Sequence, residues 1–544
     1  MRMLGGLSRR NWRREALAGI TLAAIAVPLN IGYAQIAGLP PTAGLYALIL
    51  PGIVFALLAS TRQLVAAPDA AAAALVASSI GGLAVAGDRD YLQLALAQAL
   101  IVGVVYALCA IVKLGFLANF LSEPILVGFV GGLALDIVIS QTAKMLGVEV
   151  NSGDDFIPRA DELVSGLGTL NGWSVLISLG SLTILVAGRK IATRIPWALV
   201  VLVVMTVILV LTDLADAGVA VLGPIEAGLP TLTWPVIDLA TWFQLIPSAL
   251  ALALVGMAEG LLIVRNYAEK HGYGVNTSRD LLAFRGANFA AGLTGGFTMG
   301  SSASRTAAMD QAGSRTQLPT IVASAITLTL VLFGTTLLEN IPSPAIGAIV
   351  AVAVVPLLGI RKFARLWRLR RFEFVVATAC FLGVLLLGPI VGIAIAFVLS
   401  LINLANRAAQ PSVDVLAVSD SVGLSLRARK TGDPLTAPGI CVIRFAAPVF
   451  FANANVFAND IRQAVTLGKI HGLEHLVLDC EVISDIDVTA AAVMASTIEW
   501  VRSQGISSDY SRVRAEVKWE LDHFDLLTDA RLFDSNRQAV ADLS

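Results

Sequence analysis

Long apolar runs occupy the chain up to residue 407 and restrict this part of it to the folds of membrane proteins. Of the 544 residues, 56% are hydrophobic and only 14% are charged. Runs such as 199–211 and 374–387 belong to segments of about 20 mostly apolar residues, the length that a helix needs to cross a bilayer. We therefore predict an α-helical membrane protein. The net charge of −1 gives no indication of a nucleic-acid partner.

Apolar runs between polar breaks divide this region into fourteen predicted spans, arranged as two sets of seven. The first set lies near 15–35, 41–59, 68–84, 91–112, 116–139, 173–188 and 195–213. The second set lies near 244–264, 282–296, 302–312, 318–338, 344–359, 372–388 and 389–405. The third span of each set is the short one, so the sets correspond in order. This correspondence predicts an internal repeat.

The charges between the spans predict how the chain is oriented. If the N-terminus is cytoplasmic, the even-numbered gaps are cytoplasmic too, and they carry basic residues such as Arg189, Lys190, Arg361 and Lys362. The gap at 143–172 is acidic instead. Because cytoplasmic loops are enriched in Lys and Arg, we predict a multi-pass protein of a bacterial inner membrane with both termini in the cytoplasm. We expect no cleaved signal peptide, because the basic N-terminus is followed by no convincing cleavage site.

The two short spans each open with residues that break or cap helices, Pro68 and Asp69 in the first and Gly300 with its following serines in the second. A helix that begins inside the membrane leaves N–H groups unpaired, and hydrocarbon tolerates this only where they face a cavity or a ligand. Two such ends facing each other favour an anion, as at the substrate sites of secondary transporters. The alternative is a capped kink without a ligand. The candidate site residues are Pro68, Ala70, Ser301, Ser302, Ala303, Ser304 and Arg305.

Two ionisable residues inside predicted spans are functional candidates, because charges within a membrane are costly. Arg305 would supply positive charge at the start of the broken helix, although it could instead reach the interface or pair with Asp310. Glu259 lies mid-span, so we expect it to be protonated or paired with a cation. It is our candidate proton carrier. The alternative is a permanent ion pair with Arg305.

After Arg407 the composition changes, and predicted strands alternate with predicted helices. Strands are expected at 413–424, 439–445 and 475–478, and helices at 453–467 and 488–501. This pattern predicts a small α/β domain at 408–544 that follows a membrane domain at 1–407. The four cysteines are expected to be reduced and structural. We find no motif for nucleotide binding, metal binding or nucleophilic catalysis, so we expect neither an enzyme nor a cofactor.

Several motifs resemble the signature of the SulP (sulfate permease) family of anion transporters. The resemblance rests on residues 27–46, on the spacing of Asn276, Gly286, Asn288 and Gly292, and on residues 313–317. The tail resembles the STAS domain that ends most members. The resemblance implies two inverted repeats of seven helices, with a core domain (spans 1–4 and 8–11) that moves as an elevator against a gate domain (spans 5–7 and 12–14). It also implies a homodimer.

The resemblance carries expectations for the site as well. Residues matching Ser302, Ser304 and Arg305 line or border the family's anion site, and an acid at the position of Glu259 serves cation coupling. In sodium-coupled relatives, a hydroxyl residue follows this acid by four positions, where this chain has Ile263. Proton coupling is therefore favoured over sodium coupling.

One departure from the family pattern bears on the substrate. Relatives usually have a substrate-contacting glutamine where this chain has Leu29, and leucine donates no hydrogen bond. Asn30 or Tyr33 could replace that donor, so both are candidate binding residues. Losing a donor penalises strongly hydrated sulfate more than bicarbonate or a carboxylate.

In the tail, Thr489 matches the position that is phosphorylated in soluble anti-anti-sigma relatives. We therefore name Thr489 as a regulatory candidate. The alternative is that Asp487 or Thr489 is a plain helix cap.

Together these features predict a secondary active transporter of small anions of the sulfate, bicarbonate or dicarboxylate class, working by proton-coupled symport and an elevator mechanism. Its partners would be a small inorganic or organic anion, a proton, membrane lipid and a second copy of the chain. Two alternatives stay open. One is a sodium-coupled bicarbonate symporter with the same fold, and the other is a non-transporting membrane sensor that signals through the tail.

Overall fold

The computed structural model describes residues 6–8, 11–84, 89–113, 122–150, 156–192, 195–225, 227–417, 427–428 and 435–544. The chain divides into two compact units, Met1–Ser400 and Leu401–Ser544. Each unit buries its own hydrophobic side chains, in one large core in the first and in two cores on the faces of a sheet in the second.

The first unit consists of helices and two very short strands. In chain order they are α1 (Trp12–Ile36), α2 (Pro41–Leu48), α3 (Leu50–Leu58), β1 (Ala66–Ala67), α4 (Ala70–Ile80), α5 (Arg89–Ile111), α6 (Glu123–Leu146), α7 (Phe156–Ser165), α8 (Gly172–Ile191), α9 (Trp197–Thr212), α10 (Leu239–Gln244), α11 (Ile246–His271), α12 (Thr277–Leu293), β2 (Gly300–Ser301), α13 (Ala303–Gln311), α14 (Leu318–Phe333), α15 (Thr336–Glu339), α16 (Ser343–Val354), α17 (Ile360–Leu369), α18 (Arg371–Leu387) and α19 (Pro389–Ala409). The last helix continues into the second unit.

Many of these helices have the length and composition of membrane spans. Among the described residues, seven helical segments are long and apolar enough to cross a bilayer, and α4, α9 and α14 are shorter apolar helices. The seven are Trp12–Ile36, Pro41–Leu58, Asp90–Ile111, Glu123–Leu146, Leu239–His271, Ser343–Leu369 and Pro389–Ala409. A helix lies in each of the fourteen segments that we expected to span the membrane. The helical membrane fold is thus confirmed, while the count of fourteen and the inverted repeat stay predictions.

Glycine allows two pairs of helices to approach very closely. A Cβ atom added to Gly44 on α2 would lie 2.1 Å from the carbonyl oxygen of Asn30 on α1. A Cβ atom added to Gly128 on α6 would lie 2.2 Å from the carbonyl oxygen of Ala377 on α18. Small residues let helix backbones approach within a membrane. The packing of α2 on α1 and of α6 on α18 therefore depends on these two positions.

The motif at 313–317 fixes a loop against the first helix. Buried Glu15 on α1 accepts hydrogen bonds from the Ser314 hydroxyl at 2.6 Å, the Arg315 amide at 2.8 Å and the Thr316 hydroxyl at 2.9 Å. A buried carboxyl group is tolerated when it is hydrogen-bonded in this way. The motif thereby attaches the loop between α13 and α14 to the first helix.

The second unit is the α/β domain expected from the sequence. Its elements are β3 (Val413–Ala417), β4 (Arg427–Ala428), β5 (Ile440–Phe445), α20 (Ala454–Ile470), β6 (His475–Asp479), α21 (Val488–Ser503), β7 (Ser507–Ser511), α22 (Ala515–His523), β8 (Leu532–Phe533) and α23 (Asn536–Leu543). The sheet has the order β4-β3-β5-β6-β7-β8, with β5 to β8 parallel and β3 antiparallel to both of its neighbours. Residues 418–424 of the first predicted strand lie outside the described residues.

Helices cover both faces of this sheet. Apolar residues of α20, α21 and α22 pack on one face, where Phe457, Met494 and Leu521 are buried. Helix α23 packs on the other face through Ala539, against a smaller group that includes Val477. Burial of both faces is typical of parallel sheets, and it accounts for the continuous apolar run of β5.

Candidate anion-binding site

The two interrupted segments meet at a two-stranded sheet. Strands β1 and β2 pair antiparallel, with Ala66 opposite Ser301 and Ala67 opposite Gly300. The amide of Ser302 also donates to the carbonyl oxygen of Val65 at 3.1 Å. Helices α4 and α13 begin directly after these strands. The predicted meeting of the two helix starts is therefore present in the structure.

The two helix starts are capped differently. Asp69 caps α4, because its carboxylate accepts a hydrogen bond from the amide of Ala72 at 2.7 Å. Ser302 caps α13 more weakly, since its hydroxyl accepts from the amide of Arg305 at 3.4 Å. No described residue accepts a hydrogen bond from the amides of Ala303 and Ser304. The N-terminus of α13 therefore keeps two donors for a ligand.

A cavity of about 670 Å³ lies where these helices begin. Its wall includes the first residues of α4 and α13, part of α11, the N-terminal half of α6 and the end of α16. The lining residues include Tyr33, Asp69, Ala70, Glu123, Glu259, Ile263, Arg265, Ser301, Ser302, Ala303, Ser304 and Lys362. Ser301 is 2% exposed, and its hydroxyl has no hydrogen-bond partner among the described residues. A buried hydroxyl without a partner is costly, and an anion or a water in the cavity would supply the missing acceptor.

Arg305 lies behind the wall of this cavity. It is 1% exposed, and its guanidinium donates to the carbonyl oxygen of Pro68 and to the side-chain oxygen of Asn30, the latter at 3.1 Å. It also stands over the ring of Tyr33, 5.9 Å from the ring centre. Of these four residues only Tyr33 lines the cavity. Arg305 thus holds α1 and the start of α4 together, and it adds positive potential from a short distance.

Asp310, the alternative partner expected for Arg305, forms ion pairs with other residues. Asp310 forms ion pairs with Lys270 at 2.6 Å and Arg315 at 3.0 Å, and its second short contact, also 2.6 Å, is with His271. These residues lie at the end of α11 and around the end of α13. The pairing of Arg305 with Asp310 does not occur in this structure.

Glu259 lies on α11 in the wall of the cavity. It forms no ion pair with Arg305, nor a hydrogen bond or ion pair with any other described residue. Ile263, one helical turn later, lines the same cavity. Basic side chains contribute to the wall as well, namely those of Arg265 and Lys362. The sequence indicates Lys362 only as a charge between two spans, because nothing in the sequence shows that α17 reaches a cavity.

Among the residues of the family motifs, Asn288 positions β2, Asn276 caps α12, and Leu29 does not line the cavity. The Oδ1 of Asn288 on α12 accepts from the amide of Met299 at 2.9 Å, while its Nδ2 donates to the carbonyl oxygens of Met299 at 3.3 Å and of Phe284 at 3.0 Å. Asn276 caps the start of α12 by accepting from the amide of Arg279. Leu29, which replaces the usual glutamine, is 5% exposed and does not line the cavity.

Thr489 is exposed at the second position of α21. Asp487 is the cap of this helix, because its carboxylate accepts from the amide of Ala490 at 2.7 Å. The same carboxylate accepts from the amide of Phe451 at 2.8 Å. The capping role therefore belongs to Asp487, and the hydroxyl of Thr489 remains accessible.

Comparisons with known proteins agree with this architecture. The model of the sulfate permease family matches residues 13–380, and the model of the STAS domain matches residues 433–539. A probable sulfate transporter of Mycobacterium tuberculosis is 34% identical over 519 residues, which are 94% of this chain and 91% of that protein. Probable sulfate transporter 3.3 of Arabidopsis thaliana is 25% identical over 98% of this chain and 88% of its own length.

Solved structures show the same fold. Murine Solute Carrier 26 family member A9, an anion transporter captured in the inward-facing state, superposes with a TM-score of 0.87 over 98% of this chain and 92% of its own, at 22% identity. The transmembrane domain of the cyanobacterial bicarbonate transporter BicA superposes with a TM-score of 0.63 over 73% of this chain and 100% of its own, at 23% identity. Both comparisons concern the fold alone.

Proposed function

Because the chain belongs to the sulfate permease family, we propose that it is a secondary transporter that carries a small anion across the membrane together with a proton. The relatives that it matches are transporters and not enzymes. The observation that best supports the proposal is the cavity of about 670 Å³, at which two interrupted helices begin and which Glu259 also lines. A helix start, an unpaired hydroxyl and a carboxyl group are thus within one space.

The anion would bind between the starts of α4 and α13. Its acceptor oxygens would take hydrogen bonds from the Ser301 hydroxyl and from the free amides of Ala303 and Ser304. An unpaired buried polar group costs about 1–3 kcal/mol, so a ligand that pairs these donors recovers that free energy. Arg305 would favour negative charge at this position without contacting it, because it does not line the cavity and its guanidinium donates to Pro68 and Asn30.

The proton would bind to Glu259. This carboxyl group lines the cavity and forms no ion pair with a described residue, although Lys362 lines the same cavity, so its negative charge opposes an anion in the same space. Protonation removes that repulsion, and binding of the anion and of the proton therefore favour each other. Ile263 offers no oxygen where a sodium ion would need one, which supports a proton as the coupling ion.

The family and the charge pattern support a proposal for the orientation and the transport cycle. Glu123, Arg265 and Lys362 line the cavity at helix ends that the positive-inside rule places in the cytoplasm. We therefore assign the structure to the inward-open state, with both termini cytoplasmic. The proposal includes an elevator movement of the core against the gate, a homodimer, and the domain limits 1–407 and 408–544.

The substrate class is sulfate, bicarbonate or a dicarboxylate. The names of the relatives favour sulfate. Leu29 does not line the cavity, so its replacement of the usual glutamine does not decide between these anions. The donors at the start of α13 are neutral, and this composition suits several small oxyanions. A competition panel decides between them.

The test is uptake of radiolabelled anion by proteoliposomes that contain the full chain. Sulfate, bicarbonate, nitrate, chloride and dicarboxylates compete at two pH values, and we expect uptake of the preferred anion to rise as the external pH falls. Glu259→Gln should abolish this pH dependence. Glu123→Gln is the matched control, because this carboxylate lines the same cavity outside the proposed proton site, and it should keep the dependence.

Other results would favour the alternatives. Uptake that depends on sodium and not on pH would contradict the role of Glu259 and support sodium–bicarbonate symport. A wild-type protein that is folded but transports no anion of the panel would support the sensor. Uptake by the wild type together with its loss in Arg305→Ala would exclude the sensor.

A further inference from the structure

A second polar cavity, of about 50 Å³, lies at the other end of helix α4, and we call it the distal cavity. Its polar lining residues are Gln35, Ser78, Asp136, Gln141, Lys144 and Arg159, together with Ser140. All of its walls belong to the first unit. The positive-inside rule assigns this end of α4 and the acidic loop after α6 to the external side.

The distal cavity and the first cavity are lined by successive parts of the same helices. Ala70 of α4 lines the first cavity, and Ala74 and Ala77 of the same helix line the distal cavity. At a rise of about 1.5 Å per residue, these positions are roughly 6–10 Å apart along the helix. Helix α6 shows the same order, since its N-terminal half, including Val130, lines the first cavity and its C-terminal half lines the distal one. The two cavities therefore lie along the same two helices, one beyond the other.

Positive charge is built into the distal cavity. The ammonium of Lys144 on α6 donates to the side-chain oxygen of Gln35 on α1 at 3.2 Å. Arg159 on α7 is 7% exposed and pairs with Asp136 on α6 at 2.7 Å. The cavity is thus lined by two cations and one carboxylate.

The distal cavity also contains an amide with unused hydrogen-bonding capacity. Gln141 is 1% exposed, and its Oε1 has no partner among the described residues. Its Nε2 donates to the hydroxyl of Ser140 at 3.1 Å. A buried acceptor of this kind suits a water molecule or the protonated oxygen of an oxyanion.

A structural role for Lys144 at the end of α6 explains only part of its environment. A lysine in the last turn of a helix is stabilised by the helix dipole, and Lys144 is in the last turn of α6. The dipole does not explain why its side chain is partly buried, lines a cavity and bonds to a neutral amide on another helix. A cation with so weak a partner inside a membrane protein is a candidate ligand for an anion.

We propose that the distal cavity is a second anion site, at which Lys144 binds the transported oxyanion when α6 and α1 separate on the external side. In the closed state Gln35 takes the place of the anion, so the Lys144–Gln35 hydrogen bond also holds the two helices together. This inference rests on the proposed function, because it assigns the external recognition step of the same anion. Arg159 is held by Asp136 and provides charge without leaving its partner.

The test compares the two faces of the membrane. Intact cells that express the full chain report the external KM for the preferred anion, and everted membrane vesicles report the cytoplasmic KM. Lys144→Met keeps the length of the side chain and removes its charge. We expect the external KM to rise about tenfold, equivalent to about 1.4 kcal/mol of binding free energy, while the cytoplasmic KM stays within about twofold.

Three further variants separate charge from folding. Lys144→Arg should restore most of the external affinity. Lys190→Met, a matched removal of an exposed lysine on α8, should leave both KM values unchanged. Lys144→Cys should behave like Lys144→Met and recover when an aminoethyl methanethiosulfonate restores the amine in the folded protein, whereas the sulfonatoethyl reagent should not rescue it. The four native cysteines are buried, so the reagent acts on the introduced one.

The outcomes are distinguishable. If the wild type transports anions and Lys144→Met has normal external KM, or loses affinity equally on both faces, the distal site is refuted while the proposed function stands. Failure of both Lys144→Arg and the aminoethyl reagent to restore affinity also refutes it. If the wild type transports no anion, the proposed function fails and the distal site fails with it.

Discussion

Replacement of Gly44 by alanine tests how closely the first two helices approach. The added Cβ would lie 2.1 Å from the carbonyl oxygen of Asn30, whereas ordinary contacts of a Cβ begin near 3.4 Å. Helix α2 must therefore move away from α1 by more than an ångström. The obstacle is backbone and not a side chain that could rotate, so we expect a cost near the upper end of the range for overpacking, about 3 kcal/mol.

The displacement also reaches the proposed anion site. Asn30 accepts the hydrogen bond from Arg305 at 3.1 Å, and Arg305 in turn holds the start of α4 through Pro68. A shift of this size at a binding geometry commonly reduces rates by one to two orders of magnitude. We expect Gly44→Ala to lower the apparent melting temperature of the full chain by about 5 °C and to lower anion uptake at least about tenfold.

Gly172→Ala is the matched control. Gly172 is the first residue of α8, and a Cβ there would meet no atom within 4 Å. Alanine is the better helix former by up to about 1 kcal/mol, so this variant should melt at the wild-type temperature or slightly above it. If Gly44→Ala behaves like Gly172→Ala in both melting and uptake, the close contact of α1 and α2 is wrong.

Two further predictions concern the C-terminal domain. Asp487→Ala should destabilise this domain by about 1 kcal/mol, because α21 loses its cap, and Asp487→Asn should keep most of the stability. Thermal unfolding of the full chain followed by circular dichroism measures both, and equal melting of all three proteins would contradict the capping role. Burial raises the pKa of Cys441 to about 12, and the pKa of the fully buried Cys480 is raised as well. Neither thiol should react with a maleimide at mildly alkaline pH until the protein is denatured, and mass spectrometry that finds either one labelled in the native protein would refute this.

The location of the candidate site was predictable because the residues that open its helices are unusual in apolar sequence. Pro68 and Ser302 lie just before the starts of α4 and α13, at positions where hydrocarbon would otherwise surround unpaired amides. The pairing of β1 with β2 that brings them together was not predictable. Each strand has only two residues, and two residues carry no periodic pattern of apolar side chains.

The placement of Arg305 shows a different limit of the sequence. Its charge marks it as a functional candidate, but its hydrogen-bond partners are 237 and 275 positions away in the chain. The sequence suggested Asp310, the nearest acid in the chain, as its partner. In the structure Asp310 contacts Lys270, His271 and Arg315 instead. Local spacing predicts which residues are neighbours along one helix. It does not predict a hydrogen bond to the Pro68 carbonyl oxygen, which precedes a different helix.

Strand β7 was obscured by its own polarity. A run of serines with an aspartate lacks the β-branched and apolar residues that indicate a strand. In the structure Asp509 accepts from the amide of Arg531 at 2.9 Å, and the Tyr510 hydroxyl donates to the carbonyl oxygen of Leu526 at 3.0 Å. These partners come later in the chain than the strand. The sequence of the strand alone therefore does not show which residues stabilise it.

The distribution of charge along the proposed path bears on how a carrier releases its substrate. The groups placed to contact an anion are neutral donors, such as the Ser301 hydroxyl and the amide of Ala303. The guanidinium of Arg305 lies behind them, outside the lining of the cavity, and is already hydrogen-bonded. A cation in direct contact with a desolvated anion would bind it strongly and slow its release, whereas a cation held behind neutral donors raises the local potential and still permits exchange with water. On this argument Lys362 on one side and Lys144 on the other attract anions to the two ends of the path, and the central site remains weak enough to turn over.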